Sequence, residues 1–277
     1  HWAGANSPGF QPDVTSYDYD APINEWGLAT PKYFELRKMM SKYADGKKLP
    51  AVPKAPMSLI SVPTFQLNEY RPLSNGITGE KESNKPLSFE DMDMGWGTMV
   101  YTTTLPEIKA GATLTGEFHD FAQVYVNGKY VGKIDRVKNE KSLDLPAAAA
   151  GSEMTIVVEG MGRINFGRAI KDYKGIIGNV TISTADELCD ITLSPKQWNN
   201  QIIPDDYKNA IDALNTPMNR MAGLKTKAGY YRGYFNISKV GDTFINMEAF
   251  GKGQVYVNGH ALGRFWQIGP QQTLYLP

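Results

Sequence analysis

Apolar residues recur at every second position in short runs along most of this chain. From about Met57 onward, SLISVPTFQL, TMVYTTTL, QVYVNGKYVGKI, MTIVVEGM and GNVTIS stand between turn signals. YRGYFNI, FINMEAF, QVYVNGHALGRFW and TLYLP continue the pattern toward the end. A period of two with many β-branched and aromatic residues predicts short strands of a β-sandwich architecture of jelly-roll type. Two stretches have a helical period instead. In the first, Thr30 is a candidate N-cap, Pro31 suits the first helical position, and Tyr33, Leu36, Met40 and Tyr43 share a face. Lys38 and Lys42 favour its C-terminal end, and Gly46 is its expected stop. The second, DDYKNAIDALN after Pro204, places Tyr207, Ile211 and Leu214 on one side. Residues 1–29 read as loop, and KKLPAVPKAP reads as a linker.

The hexapeptide QVYVNG occurs at 123–128 and again at 254–259, each time followed by x-x-x-Gly, at Gly132 and Gly263. Asn-Gly between alternating stretches predicts a β-hairpin closed by a type I′ turn. In that reading Val124 and Val126 point inward and the repeat marks a duplicated scaffold; a ligand role for the turn is the alternative.

Composition narrows the class. Lys plus Arg and Asp plus Glu both number 29, so no net positive charge favours nucleic acid or an anionic membrane surface. Hydrophobic residues make up 42% and charged residues 21%, as in globular proteins. The longest apolar runs are far shorter than the ~18 residues of a membrane-spanning helix. Cys189 is a single cysteine, and neither CxxC nor HExxH is present to hold zinc. His1, His119 and His260 lie at no metal-ligand spacing; His119 and His260 are expected to be hydrogen-bonded structural imidazoles. GMGRINFG lacks the G-x-G-x-x-G spacing and a βαβ setting, so it predicts no dinucleotide site. The opening HWAGAN carries neither an initiator Met nor a signal-peptide pattern and reads like the middle of a loop. A piece of a longer polypeptide is the expectation.

One polar cluster has candidate chemistry, Thr15-Ser16-Tyr17-Asp18-Tyr19-Asp20-Ala21-Pro22. In an extended segment Asp18 and Asp20 share one side, and Tyr17 and Tyr19 the other. Phenol faces packing on C–H bonds, with oxygens exchanging hydrogen bonds, would suit a sugar. A hydrogen-bonded loop closure is the competing reading.

SYDYDAPINEWGLATPKYFELRKMM closely resembles the end of the catalytic barrel in glycoside hydrolase family 35 β-galactosidases. GWGTMVYTTTLP, HDFAQVYVNGKYVG, VEGMGRINFG, DYKGIIGNVTI and KGQVYVNGHALGRFWQIGPQQTLYLP are similar, in order, to that family's β-rich C-terminal region. The resemblance implies a mainly β chain. The end of a (β/α)8 barrel would occupy 1–46 and a linker 47–56. Galactose-binding-like sandwiches would follow at 57–185 and 186–277, the second truncated at its C-terminus. It also implies a retaining β-galactosidase that needs no metal or cofactor and removes terminal β-linked galactose from glycans or oligosaccharides. Its two catalytic glutamates belong to earlier barrel strands, so none is expected in this segment, which alone should be inactive. Tyr19 takes the position of a galactose contact, with Tyr17, Asp18 and Asp20 as supporting loop groups. Asn68-Glu69-Tyr70 and Asn24-Glu25-Trp26 echo the acid/base motif but stand outside its context, and neither is expected to be catalytic. Arg163, Asn165 and Trp266 are expected to be packing or interdomain groups. The sandwiches would pack on the barrel, and a homo-oligomer contact is compatible with that role. Enzymes of the family are commonly secreted, periplasmic or lysosomal, and only that analogy bears on where this chain is located. A free-standing carbohydrate-binding module is the alternative function.

Overall fold

The pattern of period two folds as strands of two units. A computed structural model describes residues 20–24, 27–53, 57–164, 170–183, 188–190, 198–217, 228–268 and 271–277. The described residues divide into one unit of 67–233 and another of 20–66 with 234–277. They are mainly β, with two short α-helices. Helix α1 is Pro31–Ser41, and strands β1 (Glu69–Pro72), β2 (Gly79–Ser83), β3 (Gly97–Thr104) and β4 (Ala112–His119) follow it. Then come β5 (Phe121–Val126), β6 (Lys129–Asp135), β7 (Ser142–Leu145), β8 (Glu153–Glu159), β9 (Gly175–Ser183), β10 (Leu188–Asp190) and β11 (Trp198–Pro204). Helix α2 (Tyr207–Asn215) precedes β12 (Gly229–Arg232), β13 (Thr243–Asn246), β14 (Lys252–Val257), β15 (His260–Trp266) and β16 (Thr273–Leu276).

In the unit of 67–233, a six-stranded sheet of order β2-β11-β3-β8-β5-β6 faces a four-stranded sheet of order β10-β9-β4-β7. Their inner faces share one apolar core. It includes Met99 and Tyr101 of β3, Leu114 and Phe118 of β4, Val124 of β5, Ile156 of β8, Ile182 of β9 and Trp198 of β11. Burial of this kind contributes roughly 25 cal/mol per Å² and dominates the favourable side of folding. Five successive residues of β8, Met154–Val158, are buried. The outer face of their sheet is covered too, by Leu73, Ile77 and Tyr230 on Val100, Tyr125 and Val157. Burial on both faces explains why MTIVVE reads as a continuous apolar run, without the alternation of its neighbours. Strand β11 lies beyond the boundary expected at residue 185, yet it is hydrogen-bonded between β2 and β3. Its Trp198 side chain supplies core that local pattern does not assign to either sandwich. Helix α2 forms where expected, capped by the Asp206 carboxylate, which accepts from Asn209 N at 2.8 Å.

The Asn-Gly turns are as predicted. Asn127 and Gly128 have φ of 48° and 71°, and Asn258 and Gly259 have 49° and 89°. Each hairpin carries a register shift after its first valine, which places Val124 opposite Gly132 and Val255 opposite Gly263.

In the other unit, β14 pairs with β15 and β13 with β16, each as a two-stranded sheet. Residues 58–60 join them through Ile60 N donating to Asp242 O at 2.8 Å. Phe65 and Phe235 rings meet at 5.0 Å. Trp266 is buried under the Lys252 ammonium, which lies 4.7 Å from its ring, in keeping with a packing role. Helix α1 begins at Pro31 but buries none of its residues, and Phe34, Met39, Met40 and Tyr43 are at least half exposed. It ends at Ser41, before Gly46, with turns between.

One end of the sandwich is tied by charge. Asp120 is fully buried and accepts from Lys174 Nζ at 2.9 and 3.0 Å, Arg136 Nη1 at 2.8 Å and Met161 N at 2.7 Å. Lys174, itself buried, also donates to Asp172 at 2.7 Å, and Arg136 grips Asp172 with both terminal nitrogens at 2.8 and 2.9 Å. His119 completes the corner, Nδ1 lying 2.6 Å from the Tyr173 carbonyl oxygen and Nε2 2.9 Å from Glu117. It is the expected structural imidazole, whereas His260 is exposed at the start of β15. Burial pushes the Asp172 carboxyl upward, but the hydrogen bonds from Arg136 and Lys174 outweigh that and hold it at about 2.

Two outcomes follow for stability. Lys174→Met should cost roughly 3–5 kcal/mol in urea unfolding, because it leaves the Asp120 charge buried with too few partners. A loss below about 1 kcal/mol would contradict the assignment of Lys174 as the partner that makes Asp120 burial tolerable. The Asp172 carboxyl lies lower in the folded than in the unfolded chain, so its contribution is present above the unfolded value of 3.8 and lost as pH falls toward about 2. On the order of 2 kcal/mol should disappear across that window. Asp172→Asn should flatten the wild-type slope of stability against pH there.

Candidate functional site

The sequence places its candidate chemistry in residues 17–20. Tyr17, Asp18 and Tyr19 lie outside the described residues, as do Glu25, Trp26 and Asn165. Asp20 is described, at φ 56° with its carboxylate exposed. Lys32 Nζ donates to the Asp20 carbonyl oxygen at 2.7 Å and to its Oδ2 at 3.0 Å. An exposed pair of this kind contributes little energy, but it sets where the chain leaves Asp20.

The segment after Asp20 is closed on the start of α1. Thr30, expected to cap the helix with its side chain, directs Oγ1 back to the carbonyl oxygens of Ala21 and Pro22 at 3.1 and 3.0 Å. Its backbone N donates to Pro22 O at 3.0 Å. Pro31 at the first helical position removes one of the N–H groups that a helix start leaves unpaired. Ile23 and Ala29 form an antiparallel bridge, and the Asn24 carboxamide oxygen accepts from Leu28 N at 2.8 Å. Asn24 is thus a loop-closing group. This hydrogen-bonded closure ties residues 20–24 to residues 28–32.

Glu69 is occupied elsewhere. Its carboxylate receives Arg232 Nε at 3.0 Å and Nη2 at 2.6 Å across the β1–β12 ribbon. Tyr70 stacks on Tyr231 with ring centres 4.9 Å apart. Both oxygens of this carboxylate are engaged by the guanidinium, so they are not free to meet a substrate. Among the described residues no His, Cys, Asp and Glu group has the arrangement of a metal site. Arg163 of GMGRIN lies at the surface and is tied to the neighbouring loop, donating Nε and Nη2 to Gly95 O at 3.0 and 2.7 Å. The buried charge cluster around Asp120 was not legible as a unit, because its members stand at 119–120, 136 and 172–174 and meet only through sheet packing.

Comparison with known proteins adds what geometry alone does not. A model described as glycosyl hydrolases family 35 matches residues 1–43. The β-galactosidase first all-beta domain matches 86–195, and the β-galactosidase galactose-binding domain matches 228–277. The β-galactosidase of Bos taurus is 35% identical over 100% of this chain and 44% of its own length. That of Homo sapiens is 34% identical over 100% and 43%, and that of Xanthomonas manihotis 31% over 96% and 42%. The chain spans less than half the length of these relatives. Three domain matches in sequence order, together with curated relatives aligned along essentially the whole chain, show that it belongs to glycosyl hydrolase family 35.

Proposed function

We propose that the polypeptide carrying this chain is a retaining β-galactosidase that hydrolyses terminal non-reducing β-D-galactose residues of glycans or oligosaccharides. The observation that carries the proposal is the alignment of named β-galactosidases across all of the chain, residues 1–43 included. A free-standing binding module would not account for a family 35 match that precedes both β-galactosidase domain matches.

In this reading residues 1–46 finish the catalytic barrel, 47–56 lead out of it, and the β units brace it. Retention needs two carboxyl groups ~5–5.5 Å apart, one attacking the anomeric carbon and one exchanging a proton with the leaving oxygen. Neither is assigned to this chain. Its contribution is Tyr19, a phenol at the C-terminal end of a barrel strand, where such folds place their site residues. The phenol hydrogen-bonds a galactose hydroxyl, and Tyr17 and Asp18 shape the loop around it. The Thr30 and Asn24 closures and the Asp20–Lys32 pair hold the exit of that loop. Positioning of this kind matters because small displacements at a reacting sugar cost rate steeply.

Tyr19→Phe in the whole polypeptide should lower kcat/KM for an aryl β-galactoside about tenfold, the worth of one hydrogen bond to substrate. Unchanged kinetics would remove Tyr19 from the site. The 277-residue chain by itself should release no aryl alcohol. Turnover by that chain at the rate of the whole polypeptide would refute the division of labour.

A further inference from the structure

The two copies of QVYVNG belong to a longer correspondence. Strands β4, β5, β6 and β7 begin at Ala112, Phe121, Lys129 and Ser142, and β13, β14, β15 and β16 at Thr243, Lys252, His260 and Thr273. Each pair is separated by the same interval as the two hexapeptides, so 112–146 answers to 243–277 without insertion or deletion. Strand pairing repeats with it. Strands β4 and β7 match Ala112 with Leu145 and Thr115 with Ser142, while β13 and β16 match Thr243 with Leu276 and Asn246 with Thr273. Both stretches close on the same pattern, LDLP at Pro146 and LYLP at Pro277.

In the larger unit the strand after Pro146 is β8. It lies against β5 on the side away from β6, pairing Val124 with Ile156 and Val126 with Met154. It also holds the tip of the hairpin. Asn127 N donates to Glu153 O at 2.8 Å, its Oδ1 accepts from Glu153 N at 3.0 Å, and its Nδ2 donates to Ser152 Oγ at 3.2 Å. Strand β14 has β15 as its one strand neighbour among the described residues, and all six of its residues are only partly buried, where Val124 and Val126 are buried. At the shared interval, the places of Ser152 and β8 lie beyond Pro277. The chain spans less than half the length of its relatives, so the whole polypeptide has residues to fill them.

We propose that the side of β14 away from β15 is the seat of a strand that follows Pro277 in the whole polypeptide, running antiparallel to β14 and fastened to the hairpin by Asn258. The occupant is apolar and β-branched, in the manner of MTIVVE. The residue standing as far beyond Pro277 as Ile156 stands beyond Pro146 pairs with Val255. The Asn258 carboxamide binds the backbone at the start of that strand, as Asn127 binds Glu153. Main-chain pairing and covered valines are what a two-stranded sheet lacks, and a third strand supplies both. A strand of a second polypeptide is the rival occupant, since sheet edges also pair between molecules. A segment joined to β16 by a short connection has the advantage in effective concentration.

The experiment uses the whole polypeptide. Deuterium exchange read by mass spectrometry should find 252–259 protected, and Asn258→Gly should speed exchange there about tenfold, the worth of one or two hydrogen bonds. Glycine accepts the positive φ of this turn, so that variant removes the carboxamide and keeps the hairpin. A disulfide tests the register. Val255→Cys, combined with a cysteine at the position that answers to Ile156, should cross-link within one molecule on mild oxidation. The same second cysteine moved one residue either way faces the opposite side of the sheet and should not. Fast exchange across 252–259, exchange indifferent to Asn258→Gly, absence of the expected disulfide, or a disulfide formed only with a displaced cysteine or between two molecules would each overturn the proposal.

Discussion

A single carboxylate, that of Asp120, decides how the loops at one end of the larger β unit are arranged. An apolar core accepts many loop positions, since burial is proportional to area and has no direction. A buried anion is different. Desolvating it costs several kcal/mol, and only well-placed partners offset that. Asp120 accepts from the turn after β6 through Arg136, from the stretch before β9 through Lys174, and from the chain leaving β8 through Met161 N. Asp172 balances the two cations, so the cluster is close to neutral as a whole. Moving any of these loops leaves a charge buried without a counterpart. The cluster therefore contributes more to specifying one arrangement than to net stability, which a well-packed apolar replacement could match.

The same arrangement reaches the surface. Met161, fixed by Asp120, begins the stretch that carries Arg163, and Arg163 in turn holds the loop of Trp96 from behind. A rigid exposed indole thus stands at the end of a chain of contacts that starts from a group with no solvent exposure. Such a chain transmits position, not energy.

Much of this fold was legible where the deciding interactions are local. Asn-Gly turns need only positive φ at two adjacent residues, and both hairpins and both helices formed where the sequence put them. Thr30 shows the limit of local rules. A good N-cap residue spends its hydroxyl on Ala21 and Pro22, because closing the preceding loop competes with capping the helix. What was not legible depended on distant partners. Trp198 could not be assigned to the larger sheet from its neighbours in sequence, since β11 is placed by pairing with β2 and β3, about a hundred residues earlier. The charge cluster was hidden for the same reason. Of the candidate site, Glu69 could be dismissed from context and is seen bound to Arg232, whereas Tyr19 rests on family membership alone.

The repeated QVYVNG separates these two kinds of information. Both copies make the same turn, the same register shift and the same valine–glycine pairing, so the local code is read identically. Their surroundings differ. Val124 is fully buried at the centre of a ten-stranded sandwich, while every residue of β14 is only partly buried in a two-stranded sheet. Identical hairpins in unlike settings mean that the hexapeptide specifies a shape and not a role. Function in such a chain must be sought where rigid scaffold meets an unusual exposed or converging side chain, and the hairpins provide only the scaffold.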